Sequence, residues 1–175
     1  MAWCQFALHY FCDKEERITN LLRIVSSLLK PKHRFCASFP NPYHVLHRLK
    51  RNEPPPNMSG ALCSIESSEN VAAAGVDPLK TFGIEYIFSL GDAVQQCKEY
   101  IVPIDTVLEI AKSLGLKLVT LLPMQDYIVS MTQNDEVSAL REAMGVVGAD
   151  IPRPLSNDEW KAIGVYMIIA WEKES

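Results

Sequence analysis

The first residues of the chain that could do chemistry are Gln5, His9 and Tyr10. They belong to the run Cys4-Gln5-Phe6-Ala7-Leu8-His9-Tyr10, whose apolar members fit a buried strand. Polar side chains are common where such strands end, because open α/β sheets bind ligands at the carboxyl edge of their parallel strands. The run therefore predicts a strand over residues 3–10 that brings these side chains to a binding site. The alternative for each of them is a strand end whose polar groups are satisfied by local hydrogen bonds.

A second group is the dense positive run His47-Arg48-Leu49-Lys50-Arg51. One interpretation is the solvated end of a helix, and the functional interpretation is contact with phosphates. The net charge of −4 argues against broad, non-specific nucleic-acid binding, which needs an extended basic face. It leaves room for the recognition of a single nucleotide in a pocket.

The elements that must position these groups begin in α/β order. After the strand over residues 3–10, Asp13 is a candidate N-cap, and apolar residues at helical spacing over 18–29 predict an amphipathic helix that Pro31 ends. Arg34–Phe39 then predicts a second strand. A strand, a helix and a strand in this order imply a right-handed parallel crossover.

Further elements follow along the chain. A helix is predicted to begin at Pro42, and prolines with small residues over 52–80 indicate a loop or insertion that holds a short strand near Ala61–Ile65. An antiparallel strand is predicted at Phe82–Leu90, an extended piece at Glu99–Val102, and a helix over 103–115 with Gly115 as C-cap. A buried strand at Leu116–Leu122 and two short helices at Met124–Met131 and Glu136–Met144 follow. Ser156–Glu159 forms a capping box, and Ala162–Trp171 is the final strand. The predicted fold is α/β, with a mixed sheet of parallel strands and an antiparallel closing strand.

Composition excludes several classes of protein. Hydrophobic residues make up 48% of the chain, which is too many for a disordered segment. No stretch is long or apolar enough for a membrane span, and the first residues lack the pattern of a signal peptide. The five cysteines form no C-x-x-C, so we expect neither disulfides nor a metal site, and we place the protein in the cytoplasm or nucleus. Cys4 and Cys36 stand in apolar runs and are expected in the core.

Several segments taken together resemble the messenger RNA cap guanine-N7 methyltransferase family. They are Cys4–Tyr10, Leu28–Pro31, Phe39–Asn41, Phe82–Leu90, Glu99–Pro103, Leu116–Val119 and the tail from Glu159-Trp160 through Tyr166 to Trp171-Glu172-Lys173. Their joint order and spacing are more specific than any one of them. The resemblance covers nearly all of residues 1–175 and corresponds to the later part of the family's catalytic domain. It implies part of a Rossmann-like, S-adenosylmethionine-dependent methyltransferase fold.

Enzymes of this family transfer a methyl group from S-adenosylmethionine to N7 of the cap guanine. Because N7 has its own lone pair, the protein supplies position, and the resemblance implies no catalytic nucleophile and no metal. Carried over by position, Gln5 and Tyr10 would lie beside the adenosine part of the methyl donor. His9, Glu99 and Tyr166 would contact the cap guanosine, with Glu99 binding the guanine edge. The implied partner is 5′-capped mRNA in the nucleus, without a membrane and with room for a capping-machinery or activating protein.

Other interpretations of these residues stand beside the implied roles. Glu99 could be an exposed loop carboxylate, as most glutamates are. Tyr166 could be a core aromatic of the last strand, or could serve both purposes. A single cleft that contains His9, Glu99 and Tyr166 would favour a binding site, whereas a Glu99 that points away from His9 would favour an α/β fragment without one.

The chain departs from the family pattern in several places. Lys32-His33-Arg34 replaces the glycines that usually follow Pro31, so this turn must close without a left-handed glycine. Ile87 stands where the family commonly has Asp, and residues 54–80 match poorly. The glycine-rich turn and the acidic strand end that hold the methyl donor are missing, and the chain has no Gly-x-Gly. We therefore expect a truncated enzyme with little activity alone; the alternatives are a non-catalytic guanine-binding module and an inactive fragment.

Overall fold

A computed structural model describes residues 1–51, 63–68, 76–91, 93–132, 134–143 and 156–175. Within these ranges the chain forms a four-stranded mixed sheet and a separate three-stranded sheet. The strands are β1 (Ala2–Cys4), β2 (Arg34–Pro40), β3 (Cys63–Ser67), β4 (Glu85–Leu90), β5 (Val94–Tyr100), β6 (Leu116–Pro123) and β7 (Tyr166–Lys173). The helices are α1 (Glu15–Leu28), α2 (Pro42–Arg51), α3 (Ile104–Ser113), α4 (Met124–Met131), α5 (Asp135–Ala143) and α6 (Asn157–Ile163), with a 3₁₀ helix at Leu8–Phe11. None of the described helices is long and apolar enough to cross a bilayer.

The larger sheet confirms the predicted mixed topology. Its strand order is β1-β2-β7-β6, and β1 runs parallel to β2 through the α1 crossover. β7 then pairs antiparallel with both β2 and β6. The antiparallel closing strand expected from the sequence is therefore present, and it lies inside the sheet between β2 and β6.

One apolar core joins this sheet to helices α1 and α3. The rings of Phe35 and Trp171 stack at 5.6 Å between centroids across the β2–β7 pair. Buried side chains from both helices and the sheet surround them: Ile18, Leu22, Val107, Ala111, Leu116 and Ile169. Full burial of each large apolar side chain contributes about 1.5–3 kcal/mol, so this core holds β2 and β7 firmly and with them the strand ends near the site.

The smaller sheet is an antiparallel meander, β3-β4-β5, that the sequence did not separate from the first. Tyr86 of β4 lies directly opposite Glu99 of β5 in the register of the hairpin. Tyr86 and Phe88 are fully buried and pack in a second core with Val45 of α2. This sheet is the element that carries Glu99 to its place.

The prediction of one strand over residues 3–10 is wrong in its extent. β1 ends at Cys4, and Leu8–Phe11 forms a 3₁₀ helix. The chain turns at Phe6, whose φ is +53° and whose backbone N–H donates to the Ser38 hydroxyl at 2.9 Å. Leu8 and His9 are both buried although they are adjacent, which a helical turn allows and a strand with alternating faces does not.

The first helix agrees with its predicted apolar stripe but begins differently. Its N-cap residue is Lys14, which makes no side-chain capping bond. Asp13, the expected cap, instead pairs with Arg17 at 3.0 Å between Oδ1 and Nη1. The helix gains the favourable charge at its N-terminus from Glu15 and Glu16.

Two further strand predictions need correction. Leu116–Leu122 was expected to be buried, yet β6 is at the end of the sheet, and Leu118 and Val119 are 40% and 43% exposed. The final strand begins at Tyr166, because Asn157–Ile163 forms α6 and a turn at residues 164 and 165 follows it. Both segments do contain a strand, as their apolar residues predict, but apolar composition does not distinguish an edge strand from a central one.

Cysteine burial also differs from expectation. Cys4 and Cys36 are only half-buried, whereas Cys12 and Cys63 are buried. Of the predicted loop over 52–80, residues 52–62 and 69–75 lie outside the described residues, and a strand is present at Cys63–Ser67.

Several local signals are confirmed. Asn41 accepts hydrogen bonds at Oδ1 from the backbone N–H groups of Tyr43 and His44, and so caps α2 where Pro42 starts it. Gly115 follows α3 with φ of +71°. Ser156 and Glu159 form the reciprocal capping box at the start of α6. Each of these depends on neighbours within a few residues, which is why the sequence reveals them.

The turn after Pro31 closes with a lysine in a conformation that glycine prefers. Lys32 has φ of +60°, and its N–H donates to the Lys173 carbonyl at 2.8 Å. We expect Lys32→Gly to raise the free energy of unfolding by about 1 kcal/mol, since relief of the left-handed strain exceeds the entropy cost of glycine. Lys32→Ala keeps a Cβ and should leave stability unchanged. Urea unfolding of the wild type and the two variants measures these free energies. If Lys32→Ala raised the free energy of unfolding as much as Lys32→Gly, strain at this residue would not be the cause.

Candidate functional site

The 3₁₀ helix at Leu8–Phe11 is tied to the smaller sheet by a close backbone approach. Gly83, just before β4, donates its N–H to the Cys12 carbonyl at 3.0 Å. Its φ is +78°, and a Cβ there would come within 3.1 Å of the Asp13 carbonyl oxygen. Glycine therefore lets the two segments touch, and the contact brings His9 and Tyr10 to β5.

Glu99 is the centre of the candidate site. Its side chain is buried, at 3% exposure. The Tyr86 hydroxyl donates to Oε2 at 2.7 Å, and the Tyr10 hydroxyl donates to Oε1 at 3.2 Å. The interpretation of Glu99 as an exposed loop carboxylate is therefore wrong. Because a carboxylate has about four lone-pair positions, these two phenols leave Glu99 with lone pairs that could accept hydrogen bonds from a ligand.

His9 lies against the same carboxylate. Its Nε2 is 3.2 Å from Glu99 Oε1, and the ring is 2% exposed. The distance allows an ion pair if the ring is protonated, but the direction is not that of a hydrogen bond. Both ring nitrogens consequently lack a hydrogen-bond partner among the described residues. A buried polar group left in this state costs about 1–3 kcal/mol, which a bound ligand could recover.

Tyr166, the first residue of β7, lies near this group with two phenylalanines around it. Its ring meets Phe6 edge-on at 4.9 Å between centroids and Phe88 at 6.4 Å. Burial raises the pKa of Tyr166 to about 12, and the negative charge of Glu99 adds to the shift. Tyr166 is thus half-buried beside the carboxylate, and its two interpretations, core aromatic and site residue, are both compatible with its position.

The two residues expected beside the methyl donor lie in different surroundings. Gln5 is exposed and lines a cavity of about 130 Å³ with Trp3, Phe6, Ser38 and Met124 among its walls. Tyr10 directs its hydroxyl to Glu99, with Cys97 Sγ 3.7 Å away. Pockets for ligands of the donor's size measure roughly 300–1,000 Å³, so the Gln5 cavity has room for only part of such a molecule.

Two residues of the site were not singled out from the sequence. Tyr86 holds Glu99 Oε2, and Phe6 faces Tyr166 with 47% of its surface exposed. A signal for Tyr86 existed: if Phe82–Leu90 and the strand after it form a hairpin, a residue of one strand must lie opposite Glu99. Phe6 had no such signal, because its position depends on a positive φ that apolar patterning does not reveal.

The arrangement suits a flat ring with hydrogen-bond donors on one edge. Glu99 offers acceptors, His9 offers ring nitrogens, and Tyr166 with Phe6 offers aromatic surface at the same place. A carboxylate that accepts two N–H groups side by side fixes a base in one orientation, and aromatic rings hold its face. These are the types of side chain that can bind a purine.

The tyrosines around Glu99 predict a loss of stability in alkali. Burial raises the pKa of Tyr86 well above its ordinary value of 10, and so does the charge of Glu99; Tyr166 shifts in the same direction. Above about pH 10 the folded protein keeps tyrosine protons that the unfolded chain releases, so the contribution of these tyrosines to the free energy of unfolding falls as pH rises from about 10 towards 12.

The measurement is urea unfolding at several pH values between about 8 and 11.5, with Tyr86→Phe as the comparison. The variant lacks one of the tyrosines, so its stability should fall less steeply with pH. Cys12 and Cys63, whose thiol pKa values burial also raises, are present in both proteins and cancel. Equal slopes for the two proteins would contradict the prediction.

Comparisons with known proteins identify a family for this chain. The mRNA (guanine-N(7))-methyltransferase domain matches residues 1–174. An mRNA cap guanine-N(7) methyltransferase 1 from Arabidopsis thaliana is 30% identical over 172 residues, which are 97% of this chain and 46% of that protein. The corresponding enzyme of Schizosaccharomyces pombe is 28% identical over 170 residues, again 97% of this chain and 46% of the relative. The chain therefore spans about half the length of these relatives.

The backbone also aligns with solved methyltransferases. An S-adenosylmethionine-dependent methyltransferase from Mesorhizobium loti covers 98% of this chain and 61% of its own, with a TM-score of 0.43 and 14% identity. From the match over residues 1–174, this chain belongs to the mRNA (guanine-N(7))-methyltransferase domain family.

Proposed function

We propose that this chain is the guanine-binding part of an mRNA cap guanine-N7 methyltransferase, which acts on 5′-capped RNA with S-adenosylmethionine as methyl donor. The observation that carries the proposal is the convergence of Glu99, His9 and Tyr10 within 3.2 Å contacts. His9 and Tyr10 belong to the 3₁₀ helix after β1 of the larger sheet, whereas Glu99, about ninety positions further along the chain, belongs to β5 of the smaller sheet. The alternative of a fragment without a binding site does not explain why a buried carboxylate lies beside an imidazole whose nitrogens lack hydrogen-bond partners among the described residues.

The proposed mechanism is one of positioning. Glu99 accepts hydrogen bonds from the N1–H and 2-amino groups of guanine, and a nitrogen of His9 supplies a further hydrogen bond. Tyr166 and Phe6 hold the face of the ring. N7 lies on the opposite edge of guanine from N1, so binding by Glu99 leaves the N7 lone pair free. Fixing this geometry lowers the barrier because the attack on the methyl carbon then needs no further orientation.

S-adenosylmethionine, when bound, supplies the electrophilic methyl group that N7 attacks. Gln5, which lines the 130 Å³ cavity, is the residue of this chain that we propose contacts part of it. Tyr10, whose hydroxyl donates to Glu99, would contact the donor where it meets the guanine. These residues form one wall, and the glycine-rich turn that would hold the rest of the donor is absent from the sequence.

We propose that a donor-binding half packs against β1 and α1 to complete the enzyme. β1 has a strand partner on one side only within the described part of the chain. Beside it, apolar side chains are strongly exposed, including Met1 at 66%, Ile24 at 57% and Leu28 at 78%. They line a groove of about 440 Å³. Parallel strands are normally covered by neighbours and helices, and the relatives contain about as much chain again as this one matches.

A methyl-transfer assay tests the proposed function. The chain would be incubated with S-adenosylmethionine and RNA that carries an unmethylated guanosine cap, alone and together with the glycine-rich, donor-binding half of a relative. We expect little transfer by the chain alone and N7-methylguanosine formation with both parts. Robust turnover by the isolated chain would refute its dependence on a second half.

A non-catalytic guanine-binding module is the second candidate, favoured by the missing donor motifs. It predicts cap binding without methyl transfer even when the donor-binding half is present. We also propose nuclear location and a capping-machinery or activating protein partner, both of which follow from the cap methyltransferase role. Microscopy of a fluorescent fusion tests the location, since a protein excluded from the nucleus could not act on nascent transcripts.

A further inference from the structure

We propose that one side of helix α2 binds the RNA that follows the cap, through a stripe formed by Tyr43, His47 and Lys50. This inference rests on the proposed function and extends it from the cap guanine to the nucleotides beyond it. The three residues are spaced by four and three positions, so they lie on one face of the helix. All three are exposed, and Tyr43 is 49% exposed.

The opposite face of α2 fixes the helix beside the site. Val45 is buried, and Leu46 and Leu49 pack in the same cluster. That cluster also contains Tyr86, which holds Glu99, and Tyr166. The inner face of α2 therefore packs against residues of the site, and the α2 stripe lies on the outer side of the same helix. A helix anchored in this way presents its outer side chains at a fixed place relative to the cap.

The charge of the stripe stands out from that of the whole protein. The chain has a net charge of −4, yet α2 carries the dense run from His47 to Arg51. Next to the stripe, His44 is half-buried, and its Nε2 has no hydrogen-bond partner among the described residues. Burial lowers the pKa of His44, and the charges of Arg48 and His47 act in the same direction. Arg48 and His47 therefore bring positive charge close to His44 on this side of the helix.

An aromatic ring in line with cations suits nucleic acid better than an acidic peptide. Base stacking on an aromatic side chain contributes about 1–3 kcal/mol per base and tolerates any sequence, while lysine and histidine contact phosphates. Tyr43 would stack on a base and Lys50 would neutralise a phosphate. Sequence-independent contacts of this kind are what an enzyme needs if it is to accept many transcripts.

The test measures binding by fluorescence anisotropy with labelled RNA of about ten nucleotides, capped and uncapped, and with a cap dinucleotide as a third ligand. Lys50→Glu should lower the affinity for both RNAs about fivefold or more. It should also make the slope of log K against log salt concentration shallower by about 0.7, the value for one phosphate contact in a single strand. Tyr43→Ala should also lower the affinity for both RNAs, whereas Tyr43→Phe, which keeps an aromatic ring, should bind both like the wild type. Affinity for the cap dinucleotide should not change in any of them.

Lys112→Glu is the matched control. Lys112 is an exposed lysine in the last turn of α3, another ten-residue helix, so its charge reversal has a similar effect on helix stability. It should leave all three ligands unaffected. If Lys50→Glu behaves like Lys112→Glu, or if polyglutamate competes as well as uncapped RNA, the inference is overturned. Failure of the wild-type chain to bind the cap dinucleotide would instead count against the proposed function, and the uncapped RNA would still test the stripe.

Discussion

Replacing Glu99 with alanine is expected to lower the affinity for a cap dinucleotide by well over tenfold, and cap methylation by the completed enzyme by a similar factor. The variant loses the acceptors that guanine N–H groups require, and each such missing contact costs about 1–3 kcal/mol. Calorimetric titration with the cap dinucleotide measures the binding. Glu99→Gln keeps one acceptor oxygen and should fall between the wild type and alanine.

The same substitution also affects the fold. Without the carboxylate, the Tyr86 hydroxyl, which is buried, loses the acceptor it meets at 2.7 Å. We expect a loss of about 1–3 kcal/mol in the free energy of unfolding, so binding must be measured where the variant is fully folded. Far-UV circular dichroism and urea unfolding establish that condition.

Glu85→Ala separates the loss of a site residue from the loss of a buried carboxylate. Glu85 is 8% exposed, lies on β4 next to Tyr86, and therefore points to the other face of the same sheet. Its Oε1 is 3.3 Å from Lys98 Nζ, so this carboxylate already has a partner on that face. Cap affinity should survive in Glu85→Ala. Equal cap affinity in wild type and Glu99→Ala would remove Glu99 from the site.

The second large effect concerns assembly of the enzyme. Ile24→Glu combined with Leu28→Glu is expected to reduce methyl transfer by the reconstituted halves at least about a hundredfold. Each charge would be buried against the incoming half, and burial of an unpaired carboxylate costs several kcal/mol. The isolated chain should tolerate both changes, because these side chains are 57% and 78% exposed.

Val129→Glu combined with Leu140→Glu provides the matched control. These residues are 57% and 58% exposed, lie on α4 and α5, and do not line the groove beside β1 and α1. Reconstituted transfer should be unaffected by them, and cap dinucleotide affinity should be the same in all the proteins. If both double variants support transfer equally, the proposed docking of the donor-binding half on β1 and α1 is incorrect. Self-association of the wild-type chain through the α1 surface, abolished by the first pair, would point to a second copy as the occupant.

Much of the secondary structure could be predicted because its signals are local. The apolar stripe of α1 repeats with the period of a helix, Asn41 and Pro42 mark the start of α2, and Ser156 with Glu159 caps α6. The resemblance to cap methyltransferases also came from segments in order along the chain. These features are determined by residues within a turn or two of one another.

The error at residues 3–10 shows where local signals stop. The apolar run there fits a buried strand, but the chain turns at Phe6, where a bulky residue adopts φ of +53° and its N–H donates to Ser38. Such a conformation costs energy that only contacts with other parts of the fold can repay. The same holds for β6, whose exposure depends on its place at the end of the sheet.

The sequence by itself determined the apolar stripe of α1, the starts of α2 and α6, the α/β class and the family. Only the tertiary structure decided that Tyr86 lies opposite Glu99 and that Tyr10, 89 positions away along the chain, donates to the same carboxylate. The physical reason is that periodicity and capping reflect interactions between near neighbours, whereas a site built from distant segments depends on strand register and on which faces the two cores bury together.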